Sequence, residues 1–349
     1  MKLIYNYTFE DLQELLLEKG FKKYRTSQVW DWLYDKKVNS FELMKNLPSD
    51  LLEYLNNNYT FDSLALIQRQ VSTDGTQKFL YKLLDGNLIE SVVMRHHYGN
   101  SICISTQIGC NIGCSFCASG QLKRIRNLDV GEMVLQVLES ERLMGEKIDS
   151  VVLMGIGEPF DNFDNVVKLL KILNHQKGFN IGARRLTVST SGIVPKIYEF
   201  ADLKLQVNLA LSLHAATDEL RSKLMKINNV YNIEKLMESL NYYLQVTNRR
   251  VTIEYILIDG VNDREKDAIN LVNLLKGMNV YINLIPYNKV FETEYERSRE
   301  ANQKRFLHLL KRGGLDVILR KEQGHDIEAA CGQLRSKVEK KRKWGKSLW

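Results

Sequence analysis

The apolar positions follow one rhythm up to about residue 85 and another from about residue 100. In the first stretch, Thr8-Phe9-Glu10-Asp11 has the form of a capping box and precedes apolar Leu12, Leu15 and Leu16, ending at Gly20. That pattern predicts a capped amphipathic helix. A second helix is expected from about Ser27 through Trp30 and Leu33, and a third after Leu47-Pro48-Ser49-Asp50, where Pro and Ser mark a start. Residues 1–85 are therefore read as a small helical accessory domain. It holds no cluster of acids, bases or metal ligands, so its expected task is to engage a macromolecular substrate, with plain packing as the alternative.

In the second stretch, short β-branched runs fall near 101–106, 150–154, 185–189, 207–212, 251–257, 280–285 and 315–319. Amphipathic stretches separate them at 130–144, 163–176, 232–246, 263–277 and 299–312. Such alternation predicts repeated βα units around a parallel sheet. The fold class is α/β: a partial parallel (β/α) barrel over 86–320, preceded by the helical domain and followed by a C-terminal extension, 321–349. Small, polar or turn-forming segments follow the strands: Gln107-Ile-Gly-Cys110, Gly155-Ile-Gly-Glu-Pro159, Ser189-Thr-Ser-Gly192, Ser212-Leu-His214, Pro286-Tyr-Asn288 and Gly324-His-Asp326. Ligand sites of parallel sheets form at the C-terminal strand ends, so these segments are expected to converge on one pocket rather than serve as ordinary turns.

With 349 residues, 44% hydrophobic and 26% charged, the chain is able to bury one large core and a smaller satellite. It has no apolar run of membrane-spanning length, and Met1–Tyr7 lacks the pattern of a secretory signal, so a cytoplasmic, non-membrane protein is expected. Net charge is +7, but seven Lys/Arg against one Glu from Arg335 onward leave only +1 for residues 1–334. This basic tail carries Trp344 and Trp349, suited to phosphate contact and base stacking; a solvated terminus is the alternative.

Four of the five cysteines, Cys103, Cys110, Cys114 and Cys117, fall within 15 residues, and Cys331 stands apart. An odd count in a large chain argues for metal or thiol chemistry over a disulfide framework. Cys110-Asn-Ile-Gly-Cys114-Ser-Phe-Cys117 sits on a loop after a strand. Three thiolates there can wrap one face of an iron-sulfur cubane and leave the fourth iron open. A zinc site is the alternative, but zinc favours four protein ligands and no second paired knuckle exists.

This C-x3-C-x2-C spacing, with an aromatic before the last Cys, resembles the radical S-adenosylmethionine superfamily. The resemblance implies a 4Fe-4S cluster on Cys110, Cys114 and Cys117 whose open iron chelates S-adenosylmethionine, and reduction that releases a 5'-deoxyadenosyl radical. Gly157 and Glu158 look like the segment that binds the amino group of the methionine moiety. Met154-Gly-Ile-Gly-Glu-Pro159, Arg184-Arg-Leu-Thr-Val-Ser-Thr-Ser-Gly192, Ser212-Leu-His214, Arg221-Ser-Lys-Leu-Met225 and Ala329-Ala-Cys331-Gly-Gln-Leu334 narrow the likeness to the dual-specificity RNA adenine methyltransferases.

That family resemblance implies methylation of C2 of an adenosine in 23S rRNA and in the tRNA anticodon loop, with two S-adenosylmethionine per methyl transferred. Cys331 would be methylated first and carry the carbon to the base; Cys103 would resolve the covalent adduct by a disulfide with Cys331. Glu90 matches the family's proton acceptor, although an isolated Glu is ordinarily a surface residue. Ser189, Ser212, Leu213, His214 and Asn288 match positions that contact S-adenosylmethionine; a lone His is otherwise a core residue. An external low-potential electron donor such as flavodoxin and a monomeric state are also expected. Lys123-Arg124-Ile-Arg126 is a further candidate for RNA phosphate, with a solvated face as its alternative.

The nearest rival is the sister group that acts at C8 of the same ribosomal adenosine; Pro159 favours the C2 group, since Ala is usual in the sister. A non-catalytic iron-sulfur or zinc RNA-binding protein is the more distant one. Lys226, where Pro is usual, and Ser119, where Thr is common, depart from the family pattern.

Overall fold

The computed structural model describes residues 1–62, 64–290 and 293–334; the expected basic tail with Trp344 and Trp349 lies outside the described residues. Helices α1 (Phe9–Glu18), α2 (Tyr24–Tyr34) and α3 (Ser49–Asn58) form the N-terminal unit. Thr8 Oγ1 accepts from Asp11 N at 3.1 Å while the Asp11 carboxylate accepts from Thr8 N at 3.3 Å, so the capping box starts α1 as expected. Leu12, Leu16, Val29, Trp30, Leu33, Leu51 and Leu55 are buried. The unit docks through Phe9, stacked on His175 at 4.7 Å, and Trp30, edge-on to the same ring at 5.0 Å.

The helical reading of residues 1–85 fails beyond Asn58. Residues from Leu64 on form β1 (Leu64–Val71) and β2 (Gln77–Leu83), which run antiparallel into β3 (Leu88–His96) and β4 (Gly99–Cys103). The physical reason is in the turns: Asp74-Gly75 and Asp85-Gly86 place glycine at φ +85° and +82°, where other residues are strained.

From β4 the pairing becomes parallel. Strand β4 borders β5 (Ser150–Leu153), followed by β6 (Leu186–Thr190), β7 (Asn208–Ser212), β8 (Val251–Leu257), β9 (Val280–Pro286) and β10 (Asp316–Leu319). All ten strands lie side by side in chain order. Helices α4 (Val130–Met144), α5 (Phe163–Asn174), α6 (Val194–Asp202), α7 (Asp218–Leu224), α8 (Ile233–Thr247), α9 (Glu265–Leu275) and α10 (Glu300–Arg312) make the crossovers. The parallel strands and five of these helices fall where the periodicity puts them. Two short helices were unforeseen: α7, seven residues long, is too brief to show a full apolar stripe, whereas α6 carries one in Val194, Ile197, Phe200 and Ala201. Buried Val151, Leu153, Val188, Leu209, Leu211, Ile253 and Ile282 tie the sheet to its helices and leave the strand ends to chemistry.

Candidate active site

The loop after β4 is shaped by local hydrogen bonds. Gln107–Ile108 pairs with Arg126–Asn127, and Cys110 N donates to Leu122 O at 3.0 Å. Gly120 is required because a Cβ there would lie 2.7 Å from Cys114 O. Cys110, Cys114 and Cys117 border a cavity of about 910 Å³, open mouth included, with Gly157, Glu158, Ser189, Ser212 and His214 on its walls. Four of the six strand-end segments therefore converge here, whereas Pro286-Tyr-Asn288 reaches an adjoining cavity and Gly324-His-Asp326 borders neither. Leu213 is fully buried and takes no part in the lining, while Asn288 borders an adjoining cavity.

Among the described residues, no three His, Cys, Asp or Glu side chains close around a single ion position. The three thiols face a space large enough for a polynuclear group. Burial pushes the Cys110 thiol up to about 12 and raises Cys114 and Cys117. As thiolates they need a cationic centre in place, which is what cluster iron supplies. Arg221 already provides one positive charge near Cys114. It is fully buried and donates from Nη2 to Ser191 O at 2.6 Å, from Nε to Leu213 O at 3.2 Å and from Nη1 to Asn228 Oδ1 at 3.0 Å. One side chain so ties the loops after β6 and β7 together; burial lowers its pKa to about 10, leaving it protonated.

Gly157 has φ +108°, and a Cβ there would lie 2.6 Å from the Gln107 side chain. Gln107 Oε1 accepts from Glu158 N at 2.8 Å. The Glu158 carboxylate accepts from Ser191 N at 2.7 Å and Phe160 N at 3.0 Å, so it joins two strand-end loops at the cavity wall. Burial raises its pKa against these hydrogen bonds. His214 sits at φ +58°, and its Nδ1 accepts from Ile256 N at 3.1 Å, which leaves the ring proton on Nε2. Burial holds its pKa down to about 3, and the neutral ring meets Phe116 of the cysteine loop edge-on at 4.9 Å.

The adjoining cavity is bordered by Cys103, Val92, Met94, Asn288, Arg320 and Cys331, and Cys331 and Arg320 border both. Arg320 Nη1 lies 3.9 Å from Cys331 Sγ, and Asn288 Nδ2 donates to Cys331 O at 3.5 Å. Ala118 N donates to Gly332 O at 2.8 Å, linking the cysteine loop to the Cys331 loop. Cys103 and Cys331 are both free thiols; burial, with Cys331 close by, pushes Cys103 up to about 12.

A polar strap positions Cys331. Asp326 accepts from Ser72 Oγ and, at 3.1 Å, from Thr73 N; Asp74 Oδ2 accepts from Gly324 N at 2.9 Å; Lys78 Nζ donates to Glu328 O at 3.2 Å. Lys78 also lies 3.8 Å from Glu90 Oε1. Glu90 is 3% exposed rather than on the surface, two residues from Val92 on the strand face that meets Cys103. The basic stretch after the cysteine loop is already engaged: Arg124 pairs with Asp161, and Arg126 with Glu132 at 2.7 Å and Asp85 at 2.8 Å. Sequence reasoning did not single out Glu254 or Arg320, and it named Gln107 and Arg221 only within longer segments, with no positioning role. Arg320 directly follows β10 and Gln107 closely follows β4, so the strand-end rule carried a signal for both.

Comparison with known proteins agrees with this geometry. Residues 104–272 match the Radical SAM superfamily, and residues 3–60 match the Ribosomal RNA large subunit methyltransferase N-terminal domain. The chain is 57% identical over 334 residues to the Probable dual-specificity RNA methyltransferase RlmN of Acholeplasma laidlawii (strain PG-8A), covering 96% of this chain and 99% of that protein. It is 54% identical to the protein of the same description from Shouchella clausii (strain KSM-K16), over 97% and 98% of the two chains. A crystal structure of a radical SAM methyltransferase from Sphaerobacter thermophilus superposes with a TM-score of 0.91 at 40% identity, covering 96% of this chain and 99% of that one. With both its radical-generating core and its N-terminal unit matched, the chain belongs to the RlmN family of radical SAM RNA methyltransferases.

Proposed function

We propose that this enzyme methylates C2 of an adenosine in 23S rRNA and in the tRNA anticodon loop, through a methylated Cys331 and a transient covalent bond to the RNA. The observation that carries the reading is Cys331, which borders both the cavity of the three cluster cysteines and the cavity of Cys103. Cys110, Cys114 and Cys117 would hold the 4Fe-4S cluster. Bound there with S-adenosylmethionine, it would supply a 5'-deoxyadenosyl radical after reduction by a flavodoxin-like donor.

The Cys331 sulfur takes a methyl group from one S-adenosylmethionine, which leaves as S-adenosylhomocysteine; that methyl would give one hydrogen atom to the radical made from a second, its carbon would bond to C2, and the surplus electron of the adduct would return to the cluster. Glu90, buried beside Lys78, removes the ring proton of the adduct. Cys103, as a thiolate, then attacks the Cys331 sulfur; the S–C bond breaks with its electron pair going to carbon, which takes up a proton to become the methyl group, and a Cys103–Cys331 disulfide forms. Gly157, Glu158, Ser189, Ser212, His214 and Asn288 orient the cofactor through backbone and side-chain groups, while Leu213 supports them from the core by holding Arg221. The substrate adenosine has to leave its stack to reach this interior site, which suits loop RNA.

The N-terminal helices α1–α3 and the tail are read as RNA-engaging parts beside a core whose sheet begins at β1, in a monomeric cytoplasmic enzyme. No helix among the described residues is long and apolar enough to cross a membrane. The test is mass spectrometry of RNA treated with anaerobically reconstituted enzyme and methyl-labelled S-adenosylmethionine. Labelled 2-methyladenosine is expected; 8-methyladenosine would assign the sister activity, and no label in RNA or Cys331 would overturn both.

A further inference from the structure

One buried carboxylate on the cavity wall has no task in this scheme. Glu254 lies mid-strand in β8, where the sheet register sets it beside Ser212 of β7 and Asn283 of β9. Register partners on parallel strands point to the same face, so Ser212, Glu254 and Asn283 form one row across three strands. Ser212 and Glu254 both border the cluster cavity, as does Ser189 of β6. Asn283 Nδ2 donates to Glu254 Oε1 at 2.9 Å and holds the carboxylate in place. Oε2, by contrast, is buried and has no hydrogen-bond partner in the structure.

Glu254 is 3% exposed, and burying a carboxylate with one oxygen unanswered is costly. Burial raises its pKa, which the Arg320 guanidinium and Asn283 offset. Neither partner satisfies Oε2, so its acceptor capacity is left for whatever enters the cavity. S-adenosylmethionine offers three kinds of donor: its ammonium, its ribose hydroxyls and its adenine amine. Gly157 and Glu158, expected to meet the ammonium, follow β5, three strands from β8. The hydroxyl-bearing Ser189 and Ser212 share the Glu254 wall, and a carboxylate accepting from a ribose hydroxyl is a recurrent mode of nucleoside recognition.

We infer that Glu254 recognises the ribose of S-adenosylmethionine, its free Oε2 accepting a hydrogen bond from the 2'- or 3'-hydroxyl. The inference rests on the reading that this cavity takes S-adenosylmethionine. Its test is calorimetric binding of S-adenosylmethionine and its 2'-deoxy and 3'-deoxy counterparts to the full-length, cluster-reconstituted protein. Wild-type protein is expected to bind one or both deoxy compounds about tenfold more weakly or worse, the scale of a hydrogen bond to a charged group. Glu254→Met, similar in length but without an acceptor, should bind the parent about tenfold more weakly and no longer distinguish it from the deoxy compounds.

Equal wild-type affinity for all three compounds overturns the inference without any variant. So does a Glu254→Met protein that binds more weakly yet keeps the full discrimination, because a purely structural carboxylate behaves that way. Where Glu254→Met does not fold, Glu254→Gln should lower parent affinity several-fold and shrink the discrimination; unchanged binding overturns the proposal. Wild-type protein that binds none of the three would overturn the methyltransferase reading itself, and this inference with it.

Discussion

The cavity wall bearing Cys110, Cys114 and Cys117 and the wall bearing Cys331 are held by different kinds of contact. The first is assembled from consecutive strand-end loops, closed by Gly120 against Cys114 and fastened by the buried Arg221. The second is a C-terminal segment pinned by polar contacts to residues 250 or more positions earlier, Asp326 to Ser72 and Gly324 to Asp74. The cluster wall inherits the rigidity of a packed sheet. The Cys331 wall rests on individually modest hydrogen bonds and on a small apolar cluster, in which Ala329 and Leu334 pack with Val92, Met94, Cys103 and Ile156. Such an arrangement suits the role proposed for Cys331, whose sulfur would meet a cofactor, a nucleotide and Cys103 in turn.

The largest expected effect separates the walls by chemistry. Cys114→Ala should abolish methylation and the brown absorbance near about 400 nm while leaving the far-ultraviolet circular dichroism unchanged, since no strand pairing depends on that thiol. Full absorbance in the variant would remove Cys114 from the ligand set. Cys103→Ala should instead keep the absorbance and stall after carbon transfer, trapping RNA on the protein as a slow band in a denaturing gel. Free methylated RNA at the wild-type rate would refute its resolving role.

Two smaller effects probe how each wall is fastened. Arg221→Met removes a buried cation from four acceptors, and urea denaturation should show a loss of about 3 kcal/mol, with lower iron content after reconstitution. Asp74→Asn should lower stability by only about 0.5 kcal/mol, because the group is largely exposed and screened. Its partial burial raises the carboxyl pKa, but hydrogen bonds from Gly324 and Thr76 bring it down to about 2 against an ordinary 3.8. Stability from a depressed carboxyl is present above the unfolded value and lost as pH falls through the folded one. Hydrogen exchange over residues 324–334 should therefore quicken, relative to the sheet, between about pH 4 and pH 2 in the wild type. In Asp74→Asn that window should be blunted.

The helix and strand pattern from residue 100 was legible because each parallel strand is a short β-branched run with an amphipathic helix beside it. The antiparallel strands over residues 64–96 were harder to read. Their faces are unequal: β1 exposes Leu66, Ile67 and Val71, whereas β2 and β3 are mostly buried, so neither alternates cleanly. The two Asp-Gly turns were the available signal. In the site, the strand-end rule led to most of the cavity lining but also took in Leu213, which is core and contributes its carbonyl to Arg221. It could not reach Glu254, a mid-strand residue whose meaning depends on which face of the sheet it takes.

Spacing along the chain determined what short stretches of backbone can do by themselves: a three-cysteine loop after a strand, a Gly-Glu turn, a capped first helix. Folding decided the rest. Cys103 and Cys331 are 228 positions apart, and nothing local brings them together. They border one cavity because the sheet lays its strands side by side in chain order and a polar strap returns the C-terminal segment across the antiparallel strands. A local motif encodes local geometry, whereas contact across so long a loop exists only once the whole sheet has met its closure cost.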